Sequence, residues 1–347
     1  MTTKQKLILT LLIGAQFMLS IDFTILNVAL PVLGRDLRLG AAELPWVSTA
    51  FALPSAGFTL LFGRLGDLLG RRRLFLAGLA LLAAGSLAGG LAPSAGVLLG
   101  ARFAQGLAAA LVIPSALSLL TTTFAEGPLR DRALGLNGSA LPAGFIVGSL
   151  LGGILTDLLS WRWAFLVNVP VCAVIAAATP AVITDSRQPR RPRLDLPGAV
   201  TVTAGLVALV YGITVARQDG WGSAAALGLL AGSVVLLGAF IAIERRSPAP
   251  LASPAVLARP TVKWGNLGGL ILFSMSWAVI YLMTLYLQDI LGFSPLVTGL
   301  TFAVPGLECW RPITVAGLGV GALGTAIFLW QRHAVRTGAR GAQSGLR

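Results

Sequence analysis

Two ionisable side chains, Asp22 and Arg102, lie inside long apolar stretches of the chain, where a charge is costly. A carboxylate there can bind a proton or a cationic ligand, and a nearby guanidinium would favour its ionised form. At about 1.5 Å of helical rise per residue, Asp22 lies roughly 22 Å from the start of its stretch at Leu7. Arg102 lies roughly 9 Å from the start of its own stretch at Gly96. If the two stretches cross a bilayer in opposite directions, both residues reach a similar depth and face one polar cavity.

The alternative for this pair is structural. Arg102 would then extend its guanidinium to the bilayer surface, and Asp22 would be a contact between packed helices.

A second candidate is the segment 63–73, with the sequence GRLGDLLGRRR, between the second and third apolar stretches. Its glycines permit a tight turn and a close backbone approach. Asp67 can pair with an arginine or accept hydrogen bonds from a helix N-terminus, and such a contact can break and re-form as a gate. The simpler interpretation is that Arg71–Arg73 only fix the orientation of the chain. The residues assigned to this gating loop are Gly63, Arg64, Gly66, Asp67, Gly70, Arg71 and Arg72.

Polar side chains within other apolar stretches are candidates for lining a ligand pocket. The amides are equally consistent with hydrogen bonds between helices, and the tyrosine with packing or an interfacial anchor. The candidates are Asn27, Gln105, Asn137 and Tyr281. Asn168 is a further amide within a span, equally consistent with a ligand contact or a hydrogen bond between helices.

The chain carries little of the chemistry of an enzyme. His333 is its single histidine, and Cys172 and Cys309 have no metal-ligand or redox spacing. It contains no GxxxxGK[S/T] nucleotide-binding loop. The sequence therefore argues against an enzyme and against ATP hydrolysis, and predicts no metal site.

Composition indicates the elements that must position these residues. Of 347 residues, 56% are hydrophobic and 11% are charged, whereas a soluble domain has about 25% charged residues. This excludes a soluble two-domain enzyme and a disordered chain. At about 20 residues for each span and about 30 with its connection, there is room for about ten or eleven helical spans. We assign spans to 7–33, 44–63, 74–92, 96–121, 134–156, 163–183, 197–216, 223–243 and 265–290, with one or two more in 295–330.

The formal net charge of +13 is distributed in a way that predicts topology. Alternate connections hold 16 Lys and Arg, whereas the intervening connections hold Arg35, Arg38, Arg162 and Arg217. Basic connections remain in the cytoplasm, so the N-terminus is expected to be cytoplasmic. The basic clusters thus indicate a lipid bilayer, and not nucleic acid, as the partner.

Several motifs together resemble one transporter family. Segment 63–73 is similar to the signature loop of the major facilitator superfamily. Segment 21–31 (IDFTILNVALP) and segment 102–106 (RFAQG) resemble the first- and fourth-helix motifs of its fourteen-span drug:proton antiporters. Further motifs of these antiporters resemble segments 161–170, 195–198 and 220–221. Five glycines fit the fifth-helix antiporter motif, although Ser149 stands where that motif has proline: Gly135, Gly144, Gly148, Gly152 and Gly153.

This resemblance implies an all-α polytopic membrane protein with a major-facilitator-type helix bundle. It implies multidrug efflux at the inner membrane, with Asp22 and Arg102 coupling proton and substrate movement. Small residues at a spacing of four allow close helix packing, which in an antiporter helix would limit leak. The expected partners are the bilayer, protons and a cationic or hydrophobic small molecule. The energy source would be the proton gradient, without a cofactor.

The resemblance covers about residues 5–307 and then stops. We expect a six-helix bundle over 1–184, a cytoplasmic linker over 185–196 and an extra helix pair over 197–243. The start of a second bundle would follow over 244–307, with a divergent span and basic tail over 308–347. About ten spans with an incomplete second bundle raise two alternatives: a truncated, non-transporting fragment, or a transporter of another small solute.

Overall fold

The computed structural model describes residues 1–40, 43–184, 195–247, 254–298 and 301, and this part of the chain is helical throughout its regular structure. The predicted all-α class is confirmed. The helices are α1 (Thr3–Asp36), α2 (Leu44–Leu69), α3 (Arg71–Gly90), α4 (Ala95–Thr123), α5 (Pro128–Leu158), α6 (Trp163–Leu166), α7 (Asn168–Val182), α8 (Leu196–Asp219), α9 (Ala224–Glu244), α10 (Pro254–Leu257) and α11 (Pro260–Leu285), followed by a π-helix (Tyr286–Ile290).

Local signals in the sequence explain where several helices begin. Thr2 and Gln5 form a reciprocal capping box at the start of α1. The side chains of Asp195 and Ser223 cap α8 and α9 by accepting hydrogen bonds from backbone N–H groups in the first turn. Gly70 has a φ of 103°, a conformation that side chains disfavour, and it alone separates α2 from α3.

Eight of the described helical segments are long and apolar enough to cross a membrane. They correspond to the first eight predicted spans, and α6 and α7 together form the sixth, Trp163–Val182. The ninth predicted span coincides with α11 and the π-helix. In the predicted region 295–330, only 295–298 and 301 lie within the described residues. Most of the predicted linker and all of 308–347 lie outside them.

The predicted gating loop is wrong in its secondary structure. Residues 63–69 belong to α2 and 71–73 to α3, so Gly70 is the only non-helical residue of the motif. Helix α2 continues through Gly63 and Gly66 to Leu69, and the turn is concentrated at Gly70, the one position of the motif with a positive φ.

Helix α1 is central to the packing. It contacts α4, α5 and α7, while α3 packs on α4 and α2 packs on both α4 and α8. Two clusters of buried apolar side chains lie along α1: one includes Leu12 and Phe75, the other Ile25 and Phe165. The pair α8 and α9 packs chiefly on itself and exposes large apolar side chains such as Val234 and Val235. Such an outward surface suits contact with lipid.

Candidate functional site

The structure brings Asp22 and Arg102 into direct contact in the interior. The Nη1 of Arg102 lies 3.0 Å from Oδ2 of Asp22. Only 2% of the Asp22 surface and 0% of the Arg102 surface remain exposed. The contact joins α1 to α4, whose residues are 80 positions apart in the sequence.

Two amides complete the surroundings of the carboxylate. Oδ1 of Asp22 accepts hydrogen bonds from Nε2 of Gln105 at 3.0 Å and from Nδ2 of Asn168. The hydroxyl of Ser86 accepts hydrogen bonds from the same two nitrogens, at 2.8 Å and 3.2 Å. The site is therefore one polar network contributed by α1, α3, α4 and α7, and we call its five side chains the Asp22 network.

The guanidinium of Arg102 is held on several sides. Its Nη1 also donates to Oε1 of Gln105 at 2.8 Å, and its Nε donates to the Val47 carbonyl at 3.3 Å. The Phe51 ring centroid lies 4.4 Å from the central carbon, a cation–π distance. This geometry excludes the alternative in which Arg102 extends to the bilayer surface.

Two buried polar atoms in the Asp22 network have no hydrogen-bond partner among the described residues. They are Nη2 of Arg102, a donor, and Oδ1 of Asn168, an acceptor. Buried polar groups normally find partners. The network therefore retains one donor and one acceptor with which a proton-carrying or hydrogen-bonding ligand could pair.

Sequence reasoning missed part of this network. Gln105 was expected to line a pocket, and Asn168 was noted as an amide within a span without being assigned to Asp22. Ser86 was not singled out. The available signal was weak: each is a polar residue in an apolar stretch, and all-round apolar helices do not show which face meets which neighbour.

The other predicted pocket residues lie elsewhere. Asn27 donates to the Phe23 carbonyl of its own helix at 3.0 Å. Oδ1 of Asn137, on α5, is buried without a hydrogen-bond partner among the described residues. Tyr281 packs against the cluster around Ile25. The structure thus brings only Gln105 of these four to Asp22.

The gating motif links the ends of neighbouring helices by ion pairs and hydrogen bonds. Nη2 and Nε of Arg71 donate to Oδ1 of Asp67 at 2.9 and 3.2 Å, and Arg64 lies 3.8 Å from its other oxygen. Arg71 also reaches the Ser118 carbonyl at the end of α4, at 3.4 Å. Arg72 donates to the Ile183 carbonyl just beyond α7, at 2.9 Å.

The glycines of this motif differ in whether the structure requires a glycine at their position. A Cβ at Gly63 or Gly66 would meet its neighbours only at ordinary van der Waals distances. The tight turn is confined to Gly70.

The glycine face of α5 packs directly on α1. A Cβ on Gly144 would lie 2.6 Å from the Ser20 Cβ, and one on Gly148 would lie 3.0 Å from the Ile21 carbonyl oxygen. A Cβ on Gly152 would lie 3.0 Å from the Ile25 carbonyl oxygen, and one on Gly153 would lie 2.6 Å from the Pro295 carbonyl oxygen. A Cβ on Gly135 would meet no other part of the protein within 4 Å. Four of the five predicted glycines therefore lie at close contacts, and Gly135 does not.

The chemistry available to the Asp22 network follows from its burial. Protonation of Asp22 would remove the charge that compensates Arg102, and an uncompensated buried charge is strongly unfavourable. Gaining a proton would therefore favour a rearrangement in which Arg102 finds another partner or water.

Comparisons with known proteins agree with this architecture. The profile described as Major Facilitator Superfamily matches residues 12–342. The human organic anion transporter MFSD10 superposes with a TM-score of 0.56 at 18% identity, over 88% of this chain and 70% of that one. At that identity the likeness concerns the fold.

Two bacterial relatives are closer in sequence. The cephamycin export protein CmcT of Amycolatopsis lactamdurans is 41% identical over 93% of this chain, and the chain spans 70% of its length. The puromycin resistance protein pur8 of Streptomyces alboniger is 40% identical over 86% of this chain, and the chain spans 59% of its length. The fold, the apolar helices and the matched profile agree: the chain belongs to the Major Facilitator Superfamily of membrane transporters and is not an enzyme.

Proposed function

We propose that this protein exports small antibiotic-like molecules across the plasma membrane in exchange for protons, and that Asp22 is the proton-binding group. The observation that carries the proposal is the buried Asp22–Arg102 ion pair, which joins α1 to α4 in the interior. A pair of this kind costs desolvation energy and is retained in membrane segments chiefly at functional sites.

Protonation gives the exchange a physical basis. While Asp22 is ionised, four helices are held together by hydrogen bonds to its carboxylate and among its partners. A proton on Asp22 weakens these contacts and releases Arg102. The substrate and the proton then compete for the same network, which is the minimum requirement for antiport.

We include in this proposal an architecture of the fourteen-span type. Helices α1 to α7 would form the N-terminal bundle, and α8 and α9 the extra helix pair. The pair packs mainly on itself, and α8 contacts α2. With the N-terminus in the cytoplasm, the motif at 63–73 lies on the cytoplasmic side, where Asp67 and Arg71 tie helix ends together as a gate.

The relatives suggest the class of substrate. Their names refer to cephamycin export and puromycin resistance. We infer a substrate of similar size, in which apolar surface is combined with a cationic or hydrogen-bonding group.

The decisive test is the change Asp22→Asn, which keeps the shape of the side chain but removes its proton-binding group. In proteoliposomes with an imposed pH gradient, we expect the native protein to move a hydrophobic cation such as ethidium. The Asp22→Asn protein should lose the gradient-dependent part of this movement.

The matched control is Asp157→Asn, the same change at an exposed position near the end of α5. This variant should transport as the native protein does. Gradient-driven efflux that persists in Asp22→Asn, at equal protein content, would show that Asp22 does not carry the proton.

A further inference from the structure

Gln288 is a buried polar residue that lies outside the Asp22 network. It belongs to the π-helix that follows α11, and only 6% of its surface is exposed. Its Nε2 donates to the Val28 carbonyl of α1 at 2.9 Å. Since a carbonyl only accepts, the amide nitrogen must be the atom that faces Val28. π-helical turns within α-helices occur frequently at functional sites.

The bond falls at a weak point of α1. Pro31 has no N–H group and so cannot bond the Asn27 carbonyl four residues earlier. Helices bend at such positions. Gln288 binds the next carbonyl, at Val28, and therefore holds α1 at its proline interruption.

A surface cavity lies further along α1 than the Val28 contact. Val28 lies six residues after Asp22 on α1, or roughly 9 Å at helical rise. About one turn further, Pro31 and Gly34 line a cavity of 380 Å³ together with Arg35 and Asp289. Along α1, the Gln288 contact therefore lies between the cavity and Asp22.

Neighbouring contacts place the same segment against α1 and α5. Tyr281 packs against the cluster around Ile25 of α1. On α5, Gly153 closely approaches the backbone of Pro295 and Leu296. Gln288 adds to this packing a buried side-chain hydrogen bond to α1.

We propose that Gln288 is a positioning residue for Asp22: its bond to Val28 holds α1 against the π-helix and closes the path from the cavity at Pro31 to the Asp22 network. The proposal rests on the function inferred above, because it assigns the control of access to the same proton site. Gln288 acts through α1 and does not touch the carboxylate itself.

Access can be measured without transport. Asn27→Cys places a thiol on the Asp22 side of the Gln288 contact, in a background of Cys172→Ala and Cys309→Ala. The rate of labelling by a membrane-impermeant maleimide then reports how often the path opens. With Gln288 present we expect slow labelling.

Gln288→Met keeps the length of the side chain but removes the donor. The loss of one buried hydrogen bond should raise the labelling rate by about tenfold. Gln16→Met, the same change at a half-buried position of α1 on the other side of Asp22, should leave the rate close to that of the parent.

Gln288→Glu makes the contact depend on pH. A protonated glutamic acid can donate to the Val28 carbonyl, whereas the ionised form can only accept. Relative to the Gln288 parent at each pH, labelling in this variant should be slow at acidic pH and fast at alkaline pH. A residue that merely supported folding would not produce this reversal.

The outcomes separate the two proposals. Faster labelling in Gln288→Met, together with the pH-dependent pattern in Gln288→Glu, supports the positioning role. Unchanged labelling in both variants overturns it, whatever the transport result. Failure of the proposed function would appear instead as efflux that survives Asp22→Asn.

Discussion

The free-energy cost of a buried charged residue in this protein depends on the side chains that contact it. Asp22 and Arg102 can remain in the interior because each compensates the other and because Gln105 and Asn168 supply further hydrogen bonds. Removal of one charge leaves the other buried in a low-dielectric interior without a counter-charge. This usually lowers the stability more than removal of both charges.

A double-mutant comparison tests this statement. Arg102→Ala should lower the free energy of unfolding by about 3–5 kcal/mol, because the Asp22 carboxylate loses its counter-charge. Adding Asp22→Asn should restore part of that loss, since the neutral amide needs no counter-charge. Thermal unfolding in detergent measures both.

The exposed pair Arg130–Glu126 provides the control, because Arg130→Ala should change stability by less than about 1 kcal/mol. A double variant less stable than Arg102→Ala alone would contradict the compensation argument.

Part of this network was predictable from the sequence. Counting helical rise from Leu7 and Gly96 gave Asp22 and Arg102 a common depth, and the structure brings them together. The participation of Ser86 and Asn168 was not predictable. It depends on the rotation of α3 and α7 about their axes, and helices that are apolar on all sides carry no pattern that sets this rotation.

Among the elements, the pair α1 and α5 shows how spacing determines contact. Gly144, Gly148 and Gly152 form one face of α5, and each of them meets α1 so closely that an added Cβ would crowd it. The spacing of four predicted this face. It did not predict that Gly135 has open space, because a sequence pattern gives no position for the neighbouring helix.

The same substitution at two positions of α5 should therefore change the free energy of unfolding differently. Gly148→Ala places a Cβ 3.0 Å from a backbone oxygen of α1, so we expect a loss of about 1–3 kcal/mol in the free energy of unfolding. Gly135→Ala enters open space and should be neutral or stabilise the helix by up to about 1 kcal/mol. Equal effects on the thermal unfolding temperature would show that the close contact is not important for stability.

For the whole molecule, the uneven distribution of Lys and Arg predicts orientation. Cytoplasmic connections attract basic residues. The N-terminal Lys4 and the connection between α8 and α9, at Trp221, fall on opposite sides in this prediction. Both positions are exposed, so each can carry a reporter.

Single cysteines give a direct measurement in the cysteine-free background. Trp221→Cys should react with an impermeant maleimide in intact cells, because its connection is expected outside. Lys4→Cys should react only after the membrane is permeabilised. The reverse pattern would invert the predicted topology, and with it the proposed cytoplasmic placement of Asp67.

The four-helix origin of the Asp22 network also constrains the biosynthesis of the protein. Arg102 is made 80 residues after Asp22, and Asn168 is made 146 residues after it. At about 5–20 residues per second, the first partner arrives roughly 4 to 16 seconds after the acid has left the ribosome. During this interval the carboxyl group of Asp22 has not yet met its counter-charge Arg102. The hydrogen bonds that surround Asp22 in the folded protein can therefore form only after α4 and α7 have been synthesised.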